Sequence, residues 1–256
     1  YTNFFLIGFR NVETGNTKVF KAFGEDARLS PADISMIRQI IATMRIITFN
    51  GRNYDFPLMA YALTGATCKQ LKECSDAIII GQKRFWHVEK MFKFRVPREE
   101  VDHWDLIDVA FGAASLKIYG GRIHSRRMQD LPFDPARILS ESDAAELEAY
   151  WNNDIVTTID LLHALASELK LRQEMSKEYG IDLMSKSDAQ IAEAIIKKGV
   201  EELRRETVTR PNSRFGDKFY FKPPPWVMFS TPEGQSILDA CKKTMFVIDE
   251  TGKVLL

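Results

Sequence analysis

Apolar residues near the start of the chain follow patterns typical of two strands and a helix. The run from Phe4 to Arg10 is apolar and aromatic, and Lys18 to Phe23 alternates polar and apolar residues. A turn-forming segment separates the two runs, so they predict a β-hairpin. Ser30 precedes Pro31, which is the order of a helix cap and first helical residue, and the pattern predicts an amphipathic helix reaching Met44.

The pattern continues with a strand and two helical segments. The β-branched run from Arg45 to Phe49 predicts a short strand, which ends at the turn-forming pair Asn50-Gly51. A helix follows from about Phe56 to Leu63, whereas residues 69–138 give no clear pattern. From Ser140 the chain predicts a long helix with one break. This order of elements favours an α/β fold with a mixed sheet flanked by helices.

The pattern of residue types along the chain changes near residues 180–186. Beyond this point we predict a helix capped by Ser187, a short helix from Pro232 to Lys243, and a closing hairpin with its turn at residues 250–252. We therefore divide the chain into a first domain of residues 1–182 and a C-terminal α+β extension of residues 183–256.

Composition narrows the possible environments of the protein. The 256 residues carry 35 basic and 35 acidic side chains, so bulk charge gives no sign of a nucleic-acid partner. The three cysteines lack the spacing of a zinc site and read as reduced, intracellular thiols. No apolar run approaches the ~20 residues that span a membrane. We expect a cytoplasmic protein, and the strand that begins without an initiator Met suggests a processed, trimmed or partial chain.

Two local patterns contain residues suited to catalysis. The segment Asn50-Gly51-Arg52-Asn53-Tyr54-Asp55 places a carboxylate where a strand gives way to a loop. Further along, Tyr150 and Asp154 are four residues apart in a predicted helix and share one of its faces. Carboxylate oxygens are the ligands that Mg²⁺ prefers, and two such ions about 3.5–4 Å apart can hold both oxygens of a phosphodiester displacement.

These patterns carry a family resemblance. Residues 50–55 resemble the second exonuclease motif of family B DNA polymerases, Asn-x-x-x-Tyr-Asp, and residues 150–154 resemble the third, Tyr-x-x-x-Asp. Segments 103–108, 115–117, 130–135 and 185–192 resemble the stretches between and after these motifs in phage-type members. Position 149, where another subclass carries a His, is Ala149 here, so the chain is similar to the tyrosine subclass.

The resemblance implies a ribonuclease H-like fold and 3′→5′ proofreading hydrolysis of DNA, with two Mg²⁺ or Mn²⁺ ions held by four acids. It makes Asp55 and Asp154 metal ligands and Tyr150 the residue that orients the attacking water. It places Asn50 and Tyr54 beside the bound strand. The implied partners are a single-stranded 3′ end of DNA and the polymerase domain of the same parent chain, in a viral or bacterial setting.

The sequence departs from the family pattern at both ends. The first motif, Asp-x-Glu, supplies two of the four acids and does not occur here. Relatives place it immediately before a Tyr-x-Asn-Phe-Phe-like stretch, which matches residues 1–5, so we expect it a few residues upstream of Tyr1. Without it, residues 1–256 are expected to be weak in metal binding and activity. The palm motifs are also absent, and residues 186–256 resemble the segment leading toward a palm.

Several further residues have two interpretations. Lys117, Arg122 and Arg126 are candidate contacts to DNA phosphates, and a solvated basic loop is the alternative for the two arginines. The basic and aromatic stretch from Lys83 to Arg98 fits strand binding less well than core packing. Asp105 and Asp108 are expected in supporting or structural roles. For the whole chain, a catalytically silent binding module and a stand-alone exonuclease remain alternatives to the polymerase-associated enzyme.

Overall fold

A computed structural model describes residues 1–97, 101–112, 114–209, 214–250 and 253–255. Within these ranges the protein is a mixed α/β structure, as the sequence predicts. The chain divides into two compact units, residues 1–196 and residues 197–256. In the described part of the chain, no helix combines the length and the apolar character needed to cross a membrane.

Helices outnumber strands among the described residues. The strands are β1 (Phe4–Arg10), β2 (Thr17–Phe23), β3 (Ile46–Thr48), β4 (His103–Asp105), β5 (Lys218–Tyr220), β6 (Met245–Ile248) and β7 (Val254–Leu255). The α-helices are α1 (Pro31–Thr43), α2 (Asp55–Ala62), α3 (Cys68–Ile79), α4 (Phe85–Phe92), α5 (Leu116–Arg122), α6 (Glu141–Ala164), α7 (Ala166–Tyr179), α8 (Asp188–Arg204) and α9 (Pro232–Lys243). A 3₁₀ turn, Leu106–Asp108, follows β4 directly.

Elements with strong local signals lie where the sequence predicts them. The β1–β2 hairpin is antiparallel, and the Ser30 hydroxyl caps α1 by accepting from the backbone N–H of Asp33 at 3.1 Å. The long helical segment breaks once, at Leu165, between α6 and α7. Helix α9 has the predicted bounds. These elements follow from caps and periodicity, which act over a few residues.

The middle of the chain holds the elements that the sequence pattern does not reveal. Strand β4 contains three residues, too few for a period of two to be recognised. Its strand conformation comes from parallel pairing with β3, in which Thr48 lies opposite Asp105. Helix α3 begins with a capping box between Thr67 and Gln70, a local signal at the edge of a segment whose apolar pattern predicts no element.

The strands of the first unit form two separate pairs within the described residues, β1 with β2 and β3 with β4, and not one mixed sheet. Both pairs nevertheless lie between the same two groups of helices. On one face, Phe5 and Ile7 of β1 and Ile46 of β3 pack against a core that includes residues of α1, α2 and α3. On the other face, Leu6 and Ile47 belong to clusters that contain residues of α6.

The segment after α7 remains attached to the first unit. Leu183 is completely buried, and the Ser185 hydroxyl donates to the carbonyl of His103 at 3.3 Å. The buried guanidinium of Arg172 donates to the carbonyl of Asp108 at 3.2 Å and to the carboxylate of Asp188 at 2.8 Å. These contacts extend the first compact unit to residue 196, beyond the position 182 predicted as the end of the exonuclease-like domain.

The second unit contains a three-stranded antiparallel sheet in the order β5–β6–β7, with α9 preceding β6. Phe219 of β5 stacks on Phe246 of β6 with ring centroids 5.6 Å apart. The Thr231 hydroxyl caps α9. Strands β6 and β7 form the predicted closing hairpin, while Thr251 and Gly252 of its predicted turn lie outside the described residues.

Close packing of β1 on α6 gives a test of the first unit. A Cβ atom placed on Gly8 would overlap the indole ring of Trp151, whereas nothing lies within 4 Å of a Cβ placed on Gly199 of α8. We predict that Gly8→Ala lowers the free energy of unfolding by about 1–3 kcal/mol, because a packed ring must move. Gly199→Ala, the control, is expected to be neutral or stabilising by up to about 1 kcal/mol. Urea denaturation measures both, and equal effects would contradict the packing.

Candidate functional site

Helix α6 presents Tyr150 and Asp154 one turn apart. The capping box of Ser140 and Asp143 fixes where this helix begins. The hydroxyl of Tyr150 lies close enough to the carboxylate of Asp154 for each group to shift the pKa of the other. Burial, followed by the charge of Asp154, raises the pKa of Tyr150 to about 12, so the hydroxyl keeps its proton at neutral pH. Burial also raises the pKa of Asp154, and the nearby hydroxyl of Tyr150 opposes that rise.

The loop after β3 carries the second carboxylate. Asn50 adopts the left-handed conformation with φ of 60°, and its side-chain oxygen accepts from the amide of Asn53 at 2.8 Å. The N–H of Phe56 donates to the carbonyl of Gly51 at 2.8 Å, which closes the turn. Asp55 is the first residue of α2 and so begins the helix that the sequence places one residue later.

Asp105, at the end of β4, is hydrogen-bonded to this loop through its carboxylate. Its side chain is 1% exposed. One carboxylate oxygen accepts from the backbone N–H of Asn50 at 2.6 Å and the other from the N–H of Arg52 at 3.0 Å. Both loop amides therefore have a charged acceptor, which is a strong form of hydrogen bond. The supporting role expected for Asp105 is thus to accept hydrogen bonds from two N–H groups of the loop that leads to Asp55.

The carboxylates of Asp105 and Asp154 both affect the ionisation of Asp55. The pKa of Asp55 is raised to about 6, first by loss of water around its carboxylate, then by the charge of Asp105, with a smaller contribution from Asp154. Asp55 itself is exposed to solvent. A proton or a cation bound to its carboxylate would relieve the repulsion.

Two of these carboxylates are available to a metal ion. Asp55 and Asp154 are the acids that the resemblance identifies as ligands, whereas both oxygens of Asp105 already accept backbone N–H groups. Among the described residues, no group of three or more His, Cys, Asp or Glu side chains is arranged to hold a metal ion. The two acids are half of the set of four that the resemblance implies.

Arg52 and His103 lie beside the Asp105 support. The Nη2 atom of Arg52 is 3.3 Å from Oδ2 of Asp108, in a geometry that makes an ion pair without a hydrogen bond. Nε2 of His103 is 2.8 Å from the hydroxyl oxygen of Thr48. Burial, aided by the charge of Arg52, lowers the pKa of His103 to about 4. His103 is therefore neutral at pH 7.

Other predicted DNA contacts have different surroundings. Lys117 of α5 forms an ion pair with Asp130, whose charge in turn raises the pKa of Tyr150, so the pair lies near that hydroxyl. The guanidinium of Arg122 lies 5.4 Å from the ring centre of Tyr119, and Arg126 is exposed on the following loop.

Tyr54 and the aromatic stretch after α3 contribute to the core. The Tyr54 hydroxyl lies 3.0 Å from the hydroxyl of Ser75 in α3, and burial raises its pKa. Phe92 and Phe94 pack against Tyr61 with ring centroids 5.4 and 5.1 Å away. These contacts favour core packing over strand binding for this stretch, and Arg98 lies outside the described residues.

Comparisons with known proteins add no relative. Neither the family models nor the curated proteins nor the solved structures contain a match to this chain.

The raised pKa of Asp55 predicts a pH-dependent stability. The folded state binds this proton more tightly than the unfolded state, so ionising Asp55 disfavours folding. The penalty is absent below the ordinary pKa of 3.8 and complete above about 6. In metal-free buffer we expect Asp55→Asn to be increasingly more stable than the wild type from pH 4 to pH 6.5. The gain should reach about 1 kcal/mol, since solvent screens this accessible group. Urea titrations measure both free energies of unfolding. If the difference between Asp55→Asn and the wild type does not change with pH, ionisation of Asp55 is not its cause.

The support by Asp105 is testable with a neighbouring acid as control. Asp105→Ala leaves the N–H groups of Asn50 and Arg52 without their acceptor, and we predict a loss of about 2–4 kcal/mol in the free energy of unfolding. Asp102 lies three residues earlier and forms an exposed ion pair with Arg45. Asp102→Ala should therefore cost no more than about 1 kcal/mol. Chemical denaturation compares them, and similar losses would refute the role assigned to Asp105.

Proposed function

We propose that this chain is the 3′→5′ exonuclease part of a phage-type family B DNA polymerase, in the tyrosine subclass. The observation that carries the proposal is the meeting of two sequence motifs at one place. The charge of Asp154 raises the pKa of Asp55, about a hundred residues earlier in the chain, and the hydroxyl of Tyr150 lies near the carboxylate of Asp154. Chance motifs in a sequence have no reason to converge in this way.

The residues present have the chemistry that phosphodiester hydrolysis requires. Two Mg²⁺ or Mn²⁺ ions, when bound, would activate the attacking water and stabilise the leaving oxygen. Asp55 and Asp154 would hold these ions together with further acids. Tyr150 keeps its proton at neutral pH and can orient a water molecule next to Asp154 by hydrogen bonding. Asp105 keeps the loop bearing Asp55 in place.

A ribonuclease H-like architecture is part of the proposal. The pairs β1–β2 and β3–β4 have one face on the α1–α3 core and the other toward α6, so they occupy one layer. An additional strand, antiparallel to β1 and parallel to β3, would join the pairs into a single mixed sheet. The resemblance assigns the Asp-x-Glu motif to such a strand, and its two acids would then lie beside Asp55.

The partners follow from the same proposal. The substrate is a single-stranded 3′ end of DNA, and residues 183–256 would lead toward the polymerase domain of the same parent chain. We expect the protein to act in the cytoplasm, either as a viral protein in its host cell or as a bacterial intracellular enzyme. Because residues 1–256 supply Asp55 and Asp154 without an Asp-x-Glu pair, these residues by themselves are expected to form a weak nuclease.

A digestion experiment tests the proposed activity. The gene product that contains residues 1–256 is incubated in Mg²⁺ with a 5′-labelled duplex bearing an unpaired 3′ tail. We expect a ladder that shortens from the 3′ end. Asp55→Ala and Asp154→Ala should each slow it more than about 100-fold, because each removes a metal ligand. Tyr150→Phe should slow it less, since the metal ligands remain.

Exposed Asp26 provides the matched control, because it is an aspartate of the first unit outside the site. Asp26→Ala should digest at the wild-type rate. Digestion that persists in both Asp55→Ala and Asp154→Ala would refute the site. Strand binding without any digestion by the wild type would instead favour a catalytically silent module.

A further inference from the structure

A basic surface with one prominent aromatic ring borders the site. Between Asp108 and Asp130 the chain carries four Lys or Arg residues and no acid, although the chain as a whole has no net charge. Phe111, within the same segment, is 88% exposed. Phe is usually buried because removing its ring from water is favourable. An exposed Phe is therefore a candidate for contact with a binding partner.

Tyr119 fixes the loop of Phe111 against the end of β3. The Tyr119 hydroxyl donates to the carbonyl oxygen of Phe111 at 3.1 Å and also contacts that of Gly112. The Tyr119 ring packs edge-on against Phe49, with centroids 5.7 Å apart. Phe49 directly precedes Asn50, so the side chain of Tyr119 links the backbone of Phe111 to the residue before the loop that leads to Asp55.

The same segment also contacts α6 beside the other catalytic motif. Gly120 of α5 lies so close to Thr157 that an added Cβ would be 2.9 Å from its methyl group. The side-chain amide of Asn153 donates to the carbonyl of Arg127 at 3.5 Å. Asp154 is the next residue. The basic segment therefore flanks the site from the β3 loop to the middle of α6.

This combination of groups is complementary to a single strand of nucleic acid. Proteins that bind single strands without sequence preference use cations along the backbone and aromatic rings on which bases stack. Lys117 is paired with Asp130, but both side chains are exposed, and such a pair is weak enough for a phosphate to replace it. Arg122 covers one side of Tyr119 and keeps its charge at the surface.

We propose that Phe111 is a stacking platform for a base of the single strand whose phosphates contact Lys117 and Arg122. The proposal rests on the proposed function, because it concerns how the same substrate reaches the site. It assigns Phe111 a role in binding, and the residue is not catalytic. A protein partner that covers the ring is the competing occupant, and the experiment separates the two.

The test measures strand affinity in the absence of cleavage. Fluorescence anisotropy in EDTA follows a labelled oligothymidylate of about 12 nucleotides, and an abasic strand of equal length. The protein is the gene product that contains residues 1–256. Phe111→Ala should bind oligothymidylate about tenfold more weakly, as expected for one lost stacking contact, and the abasic strand nearly as well as the wild type. Phe111→Trp should retain the wild-type affinity for both.

Ile80, 76% exposed at the end of α3, is the control for loss of an apolar surface residue. Ile80→Ala should leave both affinities unchanged. Equal weakening of both strands by Phe111→Ala, or no weakening, would overturn the platform and favour a protein occupant. If digestion requires Asp154 but Phe111→Ala binds oligothymidylate as tightly as the wild type does, the stacking role of Phe111 is refuted and the proposed nuclease activity is not. Base-dependent binding without digestion would refute the enzyme and leave the platform intact.

Discussion

The two hydrogen bonds that Asp105 accepts from the loop after β3 are the constraint on which the candidate site depends. Asp105 ends a strand that pairs in parallel with β3, so its carboxylate lies beneath the loop that leaves β3. The loop contains a left-handed Asn50 and would have two part-buried N–H groups without acceptors if the carboxylate were absent. With the carboxylate in place, α2 begins at Asp55, whose pKa is affected by the charge of Asp154 in α6.

The same arrangement places like charges close together. Asp105 is deeply buried and contributes to raising the pKa of Asp55, and the charge of Asp154 adds a smaller effect. Such repulsion costs stability in the free protein, and cation binding would relieve it. A cluster of this kind is typical of a functional site, where pKa values are perturbed by burial and neighbouring charge. The nearby hydroxyl of Tyr150 partly offsets the rise in the pKa of Asp154.

Helix α6 connects the parts of the first unit. Its beginning packs with Phe4 and Leu6 of β1, and Trp151 lies against Gly8 of that strand. One turn after Asp154, Thr157 packs closely against Gly120 of α5. The helix therefore fixes Tyr150 and Asp154 relative to both strand pairs and to the basic segment that includes Lys117. Because all these contacts involve one rigid element, the positions of the site residues are set together.

Sequence patterns alone determined the local elements. The Ser30 cap, the break between α6 and α7, the bounds of α9 and the shared face of Tyr150 and Asp154 follow from interactions within a few residues. The same patterns identified Asp55 and Asp154 as acids of interest, through resemblance. Their convergence across about a hundred residues, and the separation of the strands into two pairs, depend on contacts that no local pattern specifies.

Tertiary structure decided the rest. Strand β4 exists because β3 lies beside it, and only that pairing gives Asp105 its place under the loop. Residues 183–196 join the first unit because Arg172 and the carbonyl of His103 bind the segment after α7. The hydrogen-bond partners of these groups are distant in the sequence, so which groups pair is determined only in the folded chain.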